Sequence, residues 1–159
     1  MILTPRRCAA ALLFVSATAC AAPRSPAQWR IKSVPASVKA GSKIAITVTG
    51  QIDPGWHLYA LEEPEGGPIA TVVGLTEGDA ADLLSVDESK PIVIDDPLFH
   101  LRTGFFRSTA DFTLHLRVDP SAKPGPTPLH VLIRFQSCND QVCLPPHTDT
   151  VDVPLTVTR

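Results

Sequence analysis

The chain has 159 residues, a formal net charge of −2 and 19% charged residues, with no basic run along it. That balance excludes a nucleic-acid binder, and the lack of a polybasic stripe excludes electrostatic attachment to an anionic membrane. Sixteen prolines beside 44% hydrophobic residues exclude long helices and favour many short strands joined by turns.

Taken from the N-terminus, residues 1–19 read as a signal peptide. Arg6 and Arg7 supply positive charge, Cys8 to Thr18 is uncharged and apolar, and Ala17-Thr18-Ala19 is a small-residue cleavage pattern. The stretch falls short of the about 20 apolar residues that a membrane-spanning helix needs, and no later run approaches that length. The mature protein is therefore expected to be soluble, or held to a membrane by its N-terminus alone. Ser16-Ala17-Thr18-Ala19-Cys20 resembles a bacterial lipoprotein box in which Cys20 carries the lipid, with Ala17 where leucine is usual. Ordinary signal-peptidase cleavage is the alternative. In both cases residues 20–26, containing Pro23-Arg24-Ser25-Pro26, suit a short tether.

Residues 27–159 form one domain, large enough for a hydrophobic core. Strands are expected around Trp29–Val34, over the alternation Ile44, Ile46, Val48, and around Trp56–Ala60 and Ile69–Leu75. Asp79–Leu84 alone has the pattern of a helical turn. Period-two alternation returns at Phe112, Leu114, Leu116, Val118, then at Leu129, Val131, Ile133, Phe135, and finally at Val151, Val153, Leu155, Val157. Asp53-Pro54-Gly55, Glu65-Gly66-Gly67-Pro68, Asp119-Pro120 and Lys123-Pro124-Gly125-Pro126 punctuate these runs as turns. Seven or more short strands in one exported domain predict an all-β fold, an immunoglobulin-like β-sandwich.

Outside the leader the cysteines are Cys138 and Cys143, in Phe135-Gln136-Ser137-Cys138-Asn139-Asp140-Gln141-Val142-Cys143-Leu144-Pro145-Pro146. The gap is hairpin-sized, short enough for the roughly 5.5–6 Å Cα separation that a disulfide favours. Lying together on one hairpin, the pair cannot staple two sheets as the antibody-domain bridge does. In an exported, oxidising compartment it is either a rivet or a reactive centre. As a rivet it contributes on the order of 2 kcal/mol, because the loop it closes is small. Cys138, Cys143 and His147 also have the spacing C-x4-C-x3-H, but zinc would want a fourth ligand and copper a nearby methionine. Met1 is the one methionine in the chain, so neither metal nor another cofactor is expected.

These residues carry a resemblance. The aromatic-Gln-x-Cys start of the hairpin and its Cys143-Leu144-Pro145-Pro146 end are similar to the redox hairpin of the DsbD N-terminal domain family, a periplasmic immunoglobulin-like module. Asp53-Pro54-Gly55-Trp56-His57-Leu58-Tyr59, Glu65-Gly66-Gly67-Pro68 and Asp96-Pro97-Leu98-Phe99 fall where relatives have comparable segments, and the likeness spans roughly residues 27 to 158. The resemblance implies a relay in which the disulfide takes electrons from a thioredoxin-like partner and passes them to oxidised periplasmic proteins. It gives Cys143 the mixed disulfide and Cys138 the resolving thiol. It makes Phe99, with Leu98 beside it, the aromatic cap, and Tyr59 and His57 lining residues. The multi-span membrane domain and the C-x-x-C thioredoxin domain of full-length DsbD are not in this sequence. Electrons are accordingly expected from a membrane-embedded thiol transporter or thioredoxin-like periplasmic proteins. Cytochrome-maturation factors, isomerases and peroxide-defence proteins are the substrate classes left open. A non-catalytic binding module with an inert hairpin disulfide is the competing function. Nothing in the sequence depresses either thiol pKa: no Lys or Arg lies between the cysteines, Asp140 acts the other way, and His147 helps only if folded back.

Overall fold

The structure, a computed structural model, describes residues 25–159. The leader, Cys20 and the tether up to residue 24 lie outside the described residues. In chain order the strands are β1 (Ala27–Ser33), β2 (Val38–Lys39), β3 (Lys43–Ile52), β4 (His57–Tyr59), β5 (Val72–Leu75), β6 (Ala81–Glu88) and β7 (Ile92–Asp96). They continue as β8 (Leu101–Phe106), β9 (Thr109–Val118), β10 (Gly125–Pro126), β11 (Leu129–Phe135), β12 (Ser137–Cys138), β13 (His147–Val153) and β14 (Thr156–Thr158). The fold is all-β, and no helix among the described residues is long and apolar enough to cross a membrane.

The strands form an antiparallel sheet β1-β3-β9-β6, a sheet β13-β11-β5, a sheet β12-β4-β8-β7, and a small sheet β10-β14-β2 that holds one parallel pairing, β14 with β2. The main core lies between the first sheet and the next two. Ile46 and Val48 of β3 and Phe112, Leu114 and Leu116 of β9 meet Val131, Ile133 and Phe135 of β11, with Leu58, Phe106 and Val153. These are the residues whose alternation marks them for burial, since a strand sends every second side chain to one face. Trp29 of β1 closes one end, edge-on to Phe135 with ring centroids 5.5 Å apart. Its ring lies so close to Gly50 that a Cβ there would stand 2.7 Å from it, which requires glycine at this position.

Three expectations change. The helical turn expected at Asp79–Leu84 is the start of strand β6. The chain turns at Gly78 (φ 88°) and then pairs with β9. The register shifts between Leu83 and Ser85, so Leu84 is an extra residue in the ladder. This bulge places two leucines in succession and removes the period-two signal a strand would give. The Val151–Val157 run is not one strand. Pro154 has no N–H to give a ladder, and the chain passes there from β13, paired with β11, to β14, paired with β10 and β2. All four apolar residues of that run are nevertheless buried. The strand expected from Ile69 is shorter and starts at Val72.

Candidate functional site

In the sheet β12-β4-β8-β7 the strands β12, β4 and β8 are covered on both sides, and this divides their residues into two sets. Leu58 pairs with Phe106 and with Ser137, and these three face the main core side. Tyr59 pairs with Phe105, and His57 with Cys138, so these four stand on the opposite face. There Tyr59, Phe105 and Cys138 make a second, small buried cluster, against which Phe99 and Cys143 pack. Adjacent residues such as Leu58 and Tyr59, or Phe105 and Phe106, are therefore both buried.

The cysteines are disulfide-bonded in the structure, with Cα atoms 4.0 Å apart. They are direct cross-strand neighbours. Asn139 N–H donates to the Val142 carbonyl, and Leu144 N–H to that of Ser137, on either side of the pair. Cys138 and Cys143 thus occupy a non-hydrogen-bonded position, where side chains approach most closely. The turn is held by more than the disulfide. The Asn139 Oδ1 accepts from the N–H groups of Gln141 and Val142, both at 2.8 Å, and Gln136 Nε2 donates to the Leu144 carbonyl at 3.1 Å. Burial is unequal: Cys138 is 1% exposed, whereas Cys143 is partly open to solvent.

The loop Pro97–His100 joins β7 to β8 and lies over this cluster. Its shape comes from Asp96, which is buried. One carboxylate oxygen accepts from Leu98 N–H at 2.8 Å and Phe99 N–H at 3.3 Å, and the other from the Thr103 hydroxyl at 3.3 Å. His100 completes the reversal with φ 55°, its N–H donating to the Asp96 carbonyl. The Phe99 ring is thereby set edge-on to Tyr59, with centroids 6.2 Å apart. Loop, hairpin and sheet enclose a cleft of about 700 Å³ lined by both cysteines. Its rim is apolar and exposed at Leu98 (68%), Val142 and Ile94.

Several polar groups of the cleft act on one another. The His57 ring stands edge-on to Tyr59 and tilted against Phe105, each centroid 5.2 Å away, and its Nε2 lies 3.3 Å from the Tyr59 hydroxyl. Burial, then the Arg107 guanidinium, hold the imidazole below its usual range, against the smaller opposing pull of Asp96 and Asp140. Arg107 itself lies over the Phe105 ring at 5.1 Å. The Tyr59 phenol is pushed up to about 12 by burial, then by the Asp96 and Glu63 carboxylates and a hydrogen bond to Asp96, so it keeps its proton.

Cys138, Cys143, Phe99, Leu98, Tyr59 and His57 all line the one cleft. Cys20 lies outside the described residues. His147 is not brought to the cysteines: its Nε2 pairs with Asp149 at 2.8 Å, and its ring packs edge-on to Phe135. Asp96, Phe105 and Arg107 are among the lining residues to which the sequence gives no role. Asp96 carried a signal, since Asp-Pro followed by a reversal is an Asx-type turn start. Phe105 and Arg107 sit in β8 and just beyond it, where burial on both faces removes the alternation by which strands are found.

Fold and site together define an immunoglobulin-like sandwich with a surface hairpin disulfide under a loop. Among solved structures it is similar to the N-terminal periplasmic domain of ScsB from Proteus mirabilis, at TM-score 0.56 and 18% identity, over 82% of this chain and 47% of that one. The chain thus spans about half the length of that relative. A family 123 glycoside hydrolase from Clostridium perfringens aligns over 82% of this chain and 27% of its own, at 8% identity and TM-score 0.37, a likeness too low to inform the fold. No curated protein sequence matches the chain. The family model described as "Thiol:disulfide interchange protein DsbD, N-terminal" matches residues 27–155, and the chain belongs to that family.

Proposed function

We propose that the chain is an exported periplasmic relay that carries electrons from a membrane-embedded or thioredoxin-like thiol donor to oxidised exported proteins through Cys138 and Cys143. The observation that carries this reading is the unequal burial of the two sulfurs within a hairpin that its backbone and Asn139 already hold. A rivet has no use for one sulfur at a cleft and a covering aromatic; an exchange centre uses both. In the reducing direction the Cys143 thiolate attacks one sulfur of the partner disulfide, and the other partner sulfur leaves as a thiolate. Cys138 then attacks the Cys143 sulfur, closing the Cys138–Cys143 bond and releasing the second partner thiolate. Two electrons and two protons pass to the partner. Phe99 shields the pair between partners, and the apolar rim at Leu98 and Val142 receives the docked protein. Cys20, when lipidated, tethers the domain at a membrane surface.

The test is the redox equilibrium of residues 27–159 against a thioredoxin-like dithiol, followed by thiol alkylation and mass. Reversible exchange between roughly −180 and −270 mV, with a mixed disulfide trapped on Cys143 in Cys138→Ala, is the expected result. A disulfide that stays oxidised below about −300 mV is a structural staple, and the relay reading then fails.

A further inference from the structure

Thiol–disulfide exchange between the two sulfurs does not by itself use three polar side chains of the cleft, Asp96, Tyr59 and His57. We propose that His57 accepts the Cys138 proton in the resolving step, held in the required tautomer by Tyr59 and Asp96. The inference rests on the relay reading above and adds a proton path to it.

Cys138 poses a problem that Cys143 does not. It is 1% exposed with the cleft open to solvent, and a docked partner covers what remains. Yet it must become a thiolate there to attack, because the thiol is not the nucleophile. An apolar surrounding of Tyr59, Phe105 and Phe99 favours the thiol. A base inside the cluster is therefore needed, and His57 is the cross-strand neighbour of Cys138. Directly opposed side chains on one sheet face have Cβ atoms about 4.5–5.5 Å apart, which puts the Cys138 thiol within reach of the His57 imidazole.

The charges around Tyr59 favour one tautomer of His57. The Tyr59 hydroxyl keeps its proton, which the nearby Asp96 carboxylate draws towards itself. Its oxygen then accepts from His57 Nε2–H, 3.3 Å away. That leaves Nδ1 as the unprotonated nitrogen. The charged groups acting on the ring are Arg107 beyond β8, Asp96 at the end of β7 and Asp140 on the hairpin, and burial with Arg107 outweighs the two carboxylates. The ring is neutral at neutral pH and able to take a proton. In the resolving step the Cys138 S–H proton moves to Nδ1, the Cys138–Cys143 bond forms, the bond from Cys143 to the partner breaks, and the partner thiolate departs with the electron pair. The imidazolium gives its proton to that thiolate or to water. Asp96, through Tyr59, is a positioning residue.

The experiment uses the reduced chain and 5,5′-dithiobis(2-nitrobenzoate) in stopped flow. Cys143 releases the first thionitrobenzoate, and attack by Cys138 releases the second; Cys138→Ala assigns the phases by losing the second. With an internal base the second phase of wild type is nearly flat between pH 6.5 and 8, and His57→Gln slows it by about 10²-fold with a rate that rises about tenfold per pH unit. His57→Ala recovers the second phase on addition of imidazole, which a packing role would not produce. A wild-type second phase that itself climbs about tenfold per pH unit overturns the assignment, and needs no variant to be folded. An unchanged second phase in folded His57→Gln does so as well. Both leave the relay reading intact, whereas failure of wild type to exchange with a dithiol removes both.

Discussion

Replacing Phe99 by alanine tests whether the loop over the cleft is a shield. The ring is half-buried on the Tyr59–Phe105–Cys138 cluster and edge-on to Tyr59 at 6.2 Å. An aromatic pair of this kind contributes about 0.5–1.5 kcal/mol beyond burial. Burial of the greater part of the ring adds at least about 1 kcal/mol, against about 1.5–3 kcal/mol for full burial of Phe. Together they favour the closed loop by about 2 kcal/mol, and each 1.4 kcal/mol is a factor of ten. Asp96 still shapes the turn in the variant, because its bonds run to backbone N–H groups and to Thr103. The open population should therefore rise by about 10- to 30-fold with little effect on the main core. The reduced protein is exposed to iodoacetamide under conditions where opening is fast, and alkylation of Cys138 and Cys143 is followed by mass. The rate should rise by the same factor, while the urea midpoint moves little. If the folded variant is alkylated at the wild-type rate, the ring does not guard the sulfurs.

Two further outcomes follow from the same geometry. Removing both sulfurs as Cys138→Ala/Cys143→Ala should lower unfolding stability by no more than about 2 kcal/mol, since the loop closed by a sequence separation of 5 is small; a chain that no longer folds would show the hairpin to be held by its disulfide after all. His130 is raised above its usual 6.5 by the hydrogen bond from its Nδ1 to Asp79, at 2.8 Å, which ties the β5–β6 turn to β11. A raised folded value means that this contribution is full below about pH 6.5 and is lost as pH climbs through the raised value. Urea midpoints should thus fall between pH 6 and pH 8.5 in wild type, and His130→Gln should flatten that decline; a parallel decline in the variant would place its cause elsewhere.

The main core could be read from the residues because its strands have one covered face. β3, β9 and β11 alternate cleanly, and their apolar positions are the ones found buried. The sheet beneath the disulfide was harder to read for a physical reason: covering both faces of β4 and β8 replaces alternation with adjacent buried pairs such as Phe105-Phe106. The leucine pair Leu83-Leu84 hid β6 through a bulge. At the site, Cys138, Cys143, Phe99 and Tyr59 stood out through residue type and through resemblance. The three bonds that Asp96 gives the loop and Thr103 depend on a pairing of β7 with β8 that no local pattern announces. Arg107 could not be weighed against the cysteines from sequence at all, because more than thirty residues separate it from sulfurs whose cleft it shares.

In the proposed relay, two separate cores would let the domain change oxidation state without changing fold. The sulfurs belong to the small cluster with Tyr59 and Phe105, while the side chains that hold the sheets together meet on the other face of the same strands. Opening the disulfide releases a loop already closed by Asn139 and by the backbone bonds at Val142 and Ser137. It disturbs contacts with Phe99 and the loop over the cleft before it reaches Leu58 or Phe106. Since interiors are close-packed and transmit strain, a redox centre within the main core would couple each turnover to global stability. Placing it outside confines that disturbance to the hairpin, the loop and the cleft.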